Sequence, residues 1–267
     1  MSLKEKIIEL YRKTATEMPE DIIAALRKAE AKEDENTTSR KILTYILLNS
    51  KKAKDESRPI CQDRGTPIFY VENKEGHSQK ELKKIIEEAT KEATESIPLR
   101  KNSIDSLTEK NNGNRPIIHF KETDRLKIDL LLSGGGSENI SAVSKLSNTH
   151  RNLKGVREYV LDSIVKVQGM GCPPYIIGLA IGGNIEEVAH LSKKQLLKRF
   201  DDKNQNPELE EFENKLLKDI NQLGIGPAGL GGKTTALNVK IAAIPRHPTS
   251  FFVGISIGCW CTRRQNL

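Results

Sequence analysis

Aromatic side chains make up only 4% of the 267 residues, with a single tryptophan. That is too few for the stacked platforms that hold single-stranded nucleic acid, although a formal charge of +7 would suit a polyanion. No stretch approaches the ~20 consecutive apolar residues of a membrane span. The opening residues, Met1-Ser2-Leu3-Lys4-Glu5-Lys6, lack the apolar core of a secretory leader. The expectation is a cytoplasmic protein with neither a membrane nor a nucleic acid as its partner. Cysteine is also sparse, at four residues. Structural zinc sites draw on C-x₂₋₄-C pairs, whereas the one close pair here, Cys259 and Cys261, is spaced C-x-C, and more than eighty residues separate the other cysteines. Zinc is therefore a poor fit, and a disulfide framework does not suit a protein with no sign of secretion.

Hydrophobic residues make up 36% of the chain, enough for one large core or for two lobes sharing a cleft. Lysines alternate with glutamates on stretches of helical period and read as solvated faces. Apolar spacing predicts helices over 3–17, from Pro19 through Leu26, from a Ser39 cap through Leu47, and over 78–96, 153–167, 184–199 and 207–223. Strands are predicted at Thr66 to Val71, Pro116 to Lys121, Leu126 to Ser133, Pro174 to Ile181, Thr235 to Ile244 and Ser250 to Ile257. Between them lie a loop from Pro98 to Ser103, an exposed Asn-rich segment and two glycine-rich loops, Gly134 to Asn139 and Gly224 to Gly232. The pattern predicts an α/β fold (mixed α+β), with helices packed around mixed β-sheets and two lobes flanking a cleft. The chain reads as one catalytic domain over 1–267, divisible into lobes 1–150 and 151–267.

Three cysteines sit in unusual surroundings. Cys61 lies in Pro59-Ile60-Cys61-Gln62-Asp63-Arg64-Gly65, Cys172 in Gly169-Met170-Gly171-Cys172-Pro173-Pro174, and Cys259 in Ser256-Ile257-Gly258-Cys259-Trp260-Cys261. Glycine and proline neighbours let a backbone wrap closely around an iron-bound thiolate and aim N–H groups at sulfur. The plainer alternative is three buried structural cysteines. The run Gly226-Pro227-Ala228-Gly229-Leu230-Gly231-Gly232-Lys233-Thr234 suggests a phosphate-binding loop, but the required glycine five residues before Gly232 is Pro227. A nest of N–H groups for some other anion remains open for it, as does simple packing. The three glycines at 134–136 permit close backbone approach to a ligand, and Asn139 could add a donor.

These motifs together carry a resemblance. CQDRGTP, GGGSEN, GMGCPPY, GIGPAGLGGKTTALNVKI and the ending HPTSFFV…GCWC are similar, in order and over nearly the whole chain, to the alpha subunit of iron–sulfur hydro-lyases, the class I fumarate hydratase and L-tartrate dehydratase family. The resemblance implies a [4Fe–4S] cluster on Cys61, Cys172 and Cys259 with one iron open to substrate. It implies substrate contacts from Gln62, Asp63, Arg100, Gly136 and Asn139, with Asp63 and His247 as the candidates for proton transfer. It implies a 2-hydroxy dicarboxylate substrate and reversible loss of water, on malate and fumarate or on tartrate to give oxaloacetate. It also implies a separate beta subunit completing the site, and an oligomer of alpha–beta pairs. Cys261 departs from the family pattern; in an extended strand it would face the same way as Cys259. A non-catalytic iron–sulfur sensor, a nucleic-acid-binding protein and a nucleotide-binding protein are the alternatives from other classes.

Overall fold

In a computed structural model, which describes residues 1–74, 78–97 and 99–267, the chain forms two compact units that interleave in sequence. The first comprises Met1–Pro19, Leu48–Gly135 and Cys261–Leu267, and the second Glu20–Leu47 and Gly136–Trp260. A division near residue 150 does not follow these bounds, because the last strand of the chain returns to the first unit's sheet. Pro98, at the head of the loop expected before Arg100, lies outside the described residues.

The first unit begins with α1 (Leu3–Thr16), closed at its start by a capping box between Ser2 and Glu5. The helix α2 (Glu20–Lys32) is in the second unit, and α3 (Thr38–Asp55) passes from the second unit to the first at Leu48. The cap expected at Ser39 falls two residues earlier. The Thr37 hydroxyl accepts from the Arg40 N–H at 3.3 Å, while Ser39 turns inward to the Glu33 carboxylate at 3.0 Å. Then come β1 (Thr66–Lys74), α4 (Gln79–Ser96), a small hairpin of β2 (Ser103–Ile104) and β3 (Asn111–Gly113), β4 (Ile117–Thr123) and β5 (Lys127–Ser133). With β10 (Arg263–Asn266) they build a four-stranded sheet in the order β10-β5-β1-β4, in which β1 and β4 are parallel and the other pairs antiparallel. Its core joins Ile7, Leu10 and Tyr11 of α1 and Leu82 and Ile86 of α4 to Phe69, Val71, Leu130 and Leu132 of the sheet. Each such side chain contributes about 1.5–3 kcal/mol by leaving water.

The second unit continues through α5 (Gly135–Ile140), β6 (Ala142–Lys145), α6 (Leu153–Val167), β7 (Tyr175–Gly182), α7 (Ile185–Gln195), α8 (Pro207–Gln222), β8 (Ala236–Ile244) and β9 (Phe252–Gly258). The run Gly134 to Asn139, expected as a loop, becomes in large part the short helix α5. The sheet order is β6-β9-β7-β8, with β7 parallel to β8 and antiparallel to β9. Both central strands carry large residues on one face and mostly small ones on the other. Tyr175, Ile177, Leu179 and Ile181 of β7 join Val253, Ile255 and Ile257 of β9 in a core with α6 and α8. The opposite face carries Gly178 and Gly254, and α7 lies directly on it. A Cβ at Gly178 would sit 2.1 Å from the Ser192 carbonyl oxygen, and one at Gly254 2.3 Å from that of Val188. Gly178→Ala is therefore expected to push α7 off the sheet at a cost of about 3 kcal/mol, read as a lowered midpoint in chemical denaturation. A midpoint unchanged from wild type would refute this packing account.

Candidate active site

In the first unit the Cys61 turn is pinned at both ends. The Ile60 N–H donates to the Ala15 carbonyl and Asn49 Nδ2 donates to the Ile60 carbonyl, each at 3.0 Å. Beyond the cysteine, the Asp63 carboxylate accepts the Gly65 N–H at 2.9 Å on one oxygen and the Gly135 N–H at 2.7 Å on the other. Gly65 has φ of +75°, and a Cβ there would lie 2.8 Å from the Leu132 backbone, so glycine is required by both conformation and space. Arg263 is 2% exposed, and its Nη1 donates to the Asp63 carbonyl at 2.7 Å. Arg64 Nη1 donates to the Cys61 carbonyl. Asn102 Nδ2 reaches the Gly65 carbonyl at 3.4 Å, which lays the loop following Arg100 against the same turn. Gln62 and Arg100 are exposed.

The Cys61 thiol is held down at about 6. A hydrogen bond from Cys261 is the largest cause and the Arg263 guanidinium adds to it, against the opposing effect of burial. The thiolate is the metal-binding form of cysteine. Cys261 is thus placed beside Cys61. The expectation that it shares a strand face with Cys259 does not hold, because Trp260 and Cys261 form a turn after β9 ends.

The second unit holds the other two predicted ligands. Cys172 sits at φ of +58°, a left-handed conformation uncommon for a residue with a Cβ, and its side chain is exposed. Its loop is bound on several sides. The Cys172 N–H donates to the Gly169 carbonyl at 3.2 Å, and the Cys172 carbonyl accepts the Trp260 N–H at 3.3 Å, which brings the residue beside Cys259 to the same loop. The fully buried Tyr175 accepts the Gly171 N–H at 3.3 Å and donates to the Gln168 carbonyl at 2.6 Å. Burial above all, with Cys172 and Cys259 adding to it, pushes the Tyr175 phenol up to about 12, so the two sulfurs share this tyrosine as a neighbour. A Cβ at Gly171 would strike Ile140 Cδ1 at 2.1 Å, so α5 packs against the loop with Gly136 and Asn139 exposed nearby on the same helix.

The loop Gly224 to Gly232 supports this arrangement from behind. Its Ala228 N–H donates to the Pro173 carbonyl at 2.8 Å, and a Cβ at Gly229 would lie 2.6 Å from Gly169 Cα. The anion in its N–H nest belongs to the chain itself. The Glu33 carboxylate, 4% exposed, accepts the Lys233 N–H at 2.8 Å and the Thr234 N–H at 3.0 Å, and Lys233 Nζ pairs with Asp34 at 2.5 Å. The nucleotide alternative loses its donors to this internal carboxylate.

His247 is not near Cys259 within its own chain. It follows β8, whose partner β7 begins just after Cys172 and runs parallel, and β9 then returns over seven residues to Cys259. At ~3.3 Å per residue this puts His247 about 20 Å of strand away from the cysteine end. There its Nδ1 accepts the Thr249 N–H at 3.2 Å. The family resemblance implies a place for His247 near the third cysteine, whereas the antiparallel return of β9 sets it at the other end of that strand. Glu33, Tyr175 and Arg263 escaped the sequence reading because each lies in a run that reads as ordinary solvated charge or as core.

Among the described residues no cysteine forms a disulfide, and no three His, Cys, Asp or Glu side chains are placed to hold a single metal ion. A cluster distributes its thiolates over separate irons, so its ligands need not meet at one point. The soft thiolate donors, one held toward its ionised form, fit iron–sulfur chemistry.

The turns that carry Cys61, Cys172 and Cys259 match the motifs of a hydro-lyase family. The chain belongs to the fumarate hydratase (Fumerase) family, whose model matches residues 4–267. It is 37% identical to a Geobacillus stearothermophilus protein named "Putative fumarate hydratase class I", over 98% of this chain and 54% of that one. It is 37% identical to the "Putative L(+)-tartrate dehydratase subunit alpha" of Methanocaldococcus jannaschii, over 99% and 96% of the two chains. It is 32% identical to the "L(+)-tartrate dehydratase subunit alpha" of Escherichia coli K12, over 99% and 90%. The chain thus spans about half the length of the Geobacillus relative and nearly all of the two alpha subunits. No helix among the described residues is long and apolar enough to cross a membrane.

Proposed function

We propose that this chain is the alpha subunit of a hydro-lyase that removes water from, or adds it to, a 2-hydroxy dicarboxylate. Malate and fumarate, or tartrate, are the substrates the relatives' names suggest. The observation that carries the reading is the Cys61 turn, where a thiol held toward its thiolate shares a few residues with the Arg64 and Arg263 guanidinium groups. A metal donor and carboxylate-binding cations are the two halves such a site requires. Cys61, Cys172 and Cys259 would hold a [4Fe–4S] cluster, which when bound supplies a Lewis acid for the departing hydroxyl.

The chain's own residues do the rest. Arg100 and Gln62, both exposed beside the turn, bind a substrate carboxylate, and Gly136 and Asn139 offer polar contacts from α5. Each Asp63 oxygen is held by one backbone N–H and keeps a lone pair for a substrate proton. A separate beta subunit completes the site, as the name "subunit alpha" in the relatives suggests, and α–β pairs assemble further.

Anaerobic co-expression with a beta subunit, followed by assays on malate, fumarate and both tartrates, tests this. Turnover of one of these substrates is expected from the pair only, with iron and sulfide bound to the alpha chain. Full turnover by the alpha chain alone, or anaerobically purified protein devoid of iron and sulfide, would overturn the proposal.

A further inference from the structure

Three guanidinium groups gather at the Cys61 turn, where Asp63 supplies the one carboxylate. Arg64 lies near Arg100 and Arg263, and Asn102 Nδ2 on the Gly65 carbonyl lays the Arg100 loop against the same turn. None of the three is in an ion pair with any Asp or Glu among the described residues. Asp63, the one acid at the turn, spends both oxygens on the N–H groups of Gly65 and Gly135. Arg263 meets only its backbone carbonyl through Nη1, and Arg64 meets the Cys61 carbonyl. The Nε atoms of Arg64 and Arg263 are buried and have no hydrogen-bond partner. Like charges packed together repel, and a buried guanidinium N–H without an acceptor costs about 1–3 kcal/mol. A fold tolerates both when a ligand anion arrives to resolve them. Asp63 and the Cys61 thiolate offset only part of the charge of the three arginines, which leaves the turn net positive and suited to an anion.

We propose that Arg64 is a specificity-determining residue that, with Arg100, clamps the second carboxylate of the substrate and so selects dianionic over monoanionic 2-hydroxy acids. Arg263 is the positioning residue: buried beneath the turn, it fixes the Asp63 backbone and thereby the direction in which Arg64 leaves the chain. The inference rests on the hydro-lyase reading for its substrate, and adds a role that the resemblance does not assign, since the family motifs place the carboxylate contact at Arg100.

The test uses the cluster-loaded alpha–beta complex and the variants Arg64→Gln and Arg64→Lys. Loss of one bidentate, charge-assisted contact to a bound carboxylate predicts a KM for the dicarboxylate raised about 30–100-fold in Arg64→Gln with kcat changed less than about 5-fold. Arg64→Lys, which keeps the charge but not the fork, falls between. In parallel, malonate and acetate are titrated against the alpha chain while its melting temperature is followed. Malonate raises the midpoint of the wild type more than acetate does, and Arg64→Gln abolishes that difference. If both variants keep the wild-type KM and the malonate preference persists, Arg64 has no such role, even where turnover upholds the hydro-lyase reading. If no substrate is turned over but the malonate preference depends on Arg64, the dianion site stands and the reaction assignment falls. A uniform fall in kcat with KM unchanged in both variants would overturn the clamp.

Discussion

Replacing Cys172 by serine is expected to leave the fold intact, to lower bound iron and sulfide to a small fraction of the wild-type content, and to reduce turnover by about 1,000-fold or more. The side chain is exposed, so exchanging sulfur for oxygen removes little packing. Serine also keeps a Cβ at the φ of +58°, so whatever strain the position stores is the same in both proteins. The substitution therefore isolates the donor atom: an alcohol is a poor, weakly acidic ligand for iron where a thiolate is a strong one. If a Lewis acid contributes several kcal/mol to the departure of hydroxide, 4 kcal/mol of it corresponds to about 10³ in rate. Cys261→Ser is the control. Cys261 is buried and hydrogen-bonded to Cys61, so this variant should retain iron and lose at most a modest fraction of activity. Colorimetric iron and sulfide per chain, with visible absorbance, measure both. A Cys172→Ser protein with wild-type iron content, or a Cys261→Ser protein as empty as Cys172→Ser, would show that the ligands are misassigned.

The sequence was most readable where local rules act alone. The short apolar run through Ile181 marks β7, and Pro207 marks the start of α8. It was least readable where a position depends on residues far away in the chain. β10 pairs with β5, about 130 residues earlier, and nothing in Arg263-Arg264-Gln265-Asn266 has strand character on its own. Gly135-Gly136-Ser137 has poor helix propensity, yet α5 forms there, with Ile140 packed against Gly171 and the Gly135 N–H anchored on Asp63. At the site, the motif residues around Cys61 and Cys172 were visible because glycine and proline punctuate them. Tyr175 and Arg263, which fix those turns through hydrogen bonds to backbone, were hidden because a buried tyrosine beside a strand and an arginine near the end of the chain carry no local mark of that task. His247 shows the converse: its separation of twelve residues from Cys259 is short in sequence and long in space, since a β-strand converts seven of those residues into extension.

Glu33→Ala is expected to destabilise the protein by about 4 kcal/mol and to loosen the Cys172 loop although Glu33 touches none of it. Glu33 opens a charged run, Glu33-Asp34-Glu35-Asn36, that would ordinarily be solvated. Instead its carboxylate is buried and accepts from the Lys233 and Thr234 N–H groups and from the Ser39 hydroxyl. Removing it leaves the buried Thr234 N–H and the part-buried Lys233 N–H without an acceptor, at about 1–3 kcal/mol for the buried one, and forfeits hydrogen bonds of the stronger, charge-assisted kind. Glu33→Gln keeps one carbonyl oxygen for the N–H groups and should cost about half as much. The consequence travels along backbone contacts. Gly232, at φ of +128°, directly precedes the Lys233 N–H that Glu33 holds and would lose that anchor. The Ala228 N–H would then hold the Pro173 carbonyl less firmly, next to Cys172. Equilibrium unfolding in urea reads the first effect. Amide hydrogen exchange over residues 168–174 and 226–234 reads the second, with protection expected to fall together in both segments. Loss of protection in 226–234 alone, with 168–174 unchanged, would show that the two loops are independent and that Glu33 stabilises the fold without steadying the sulfur.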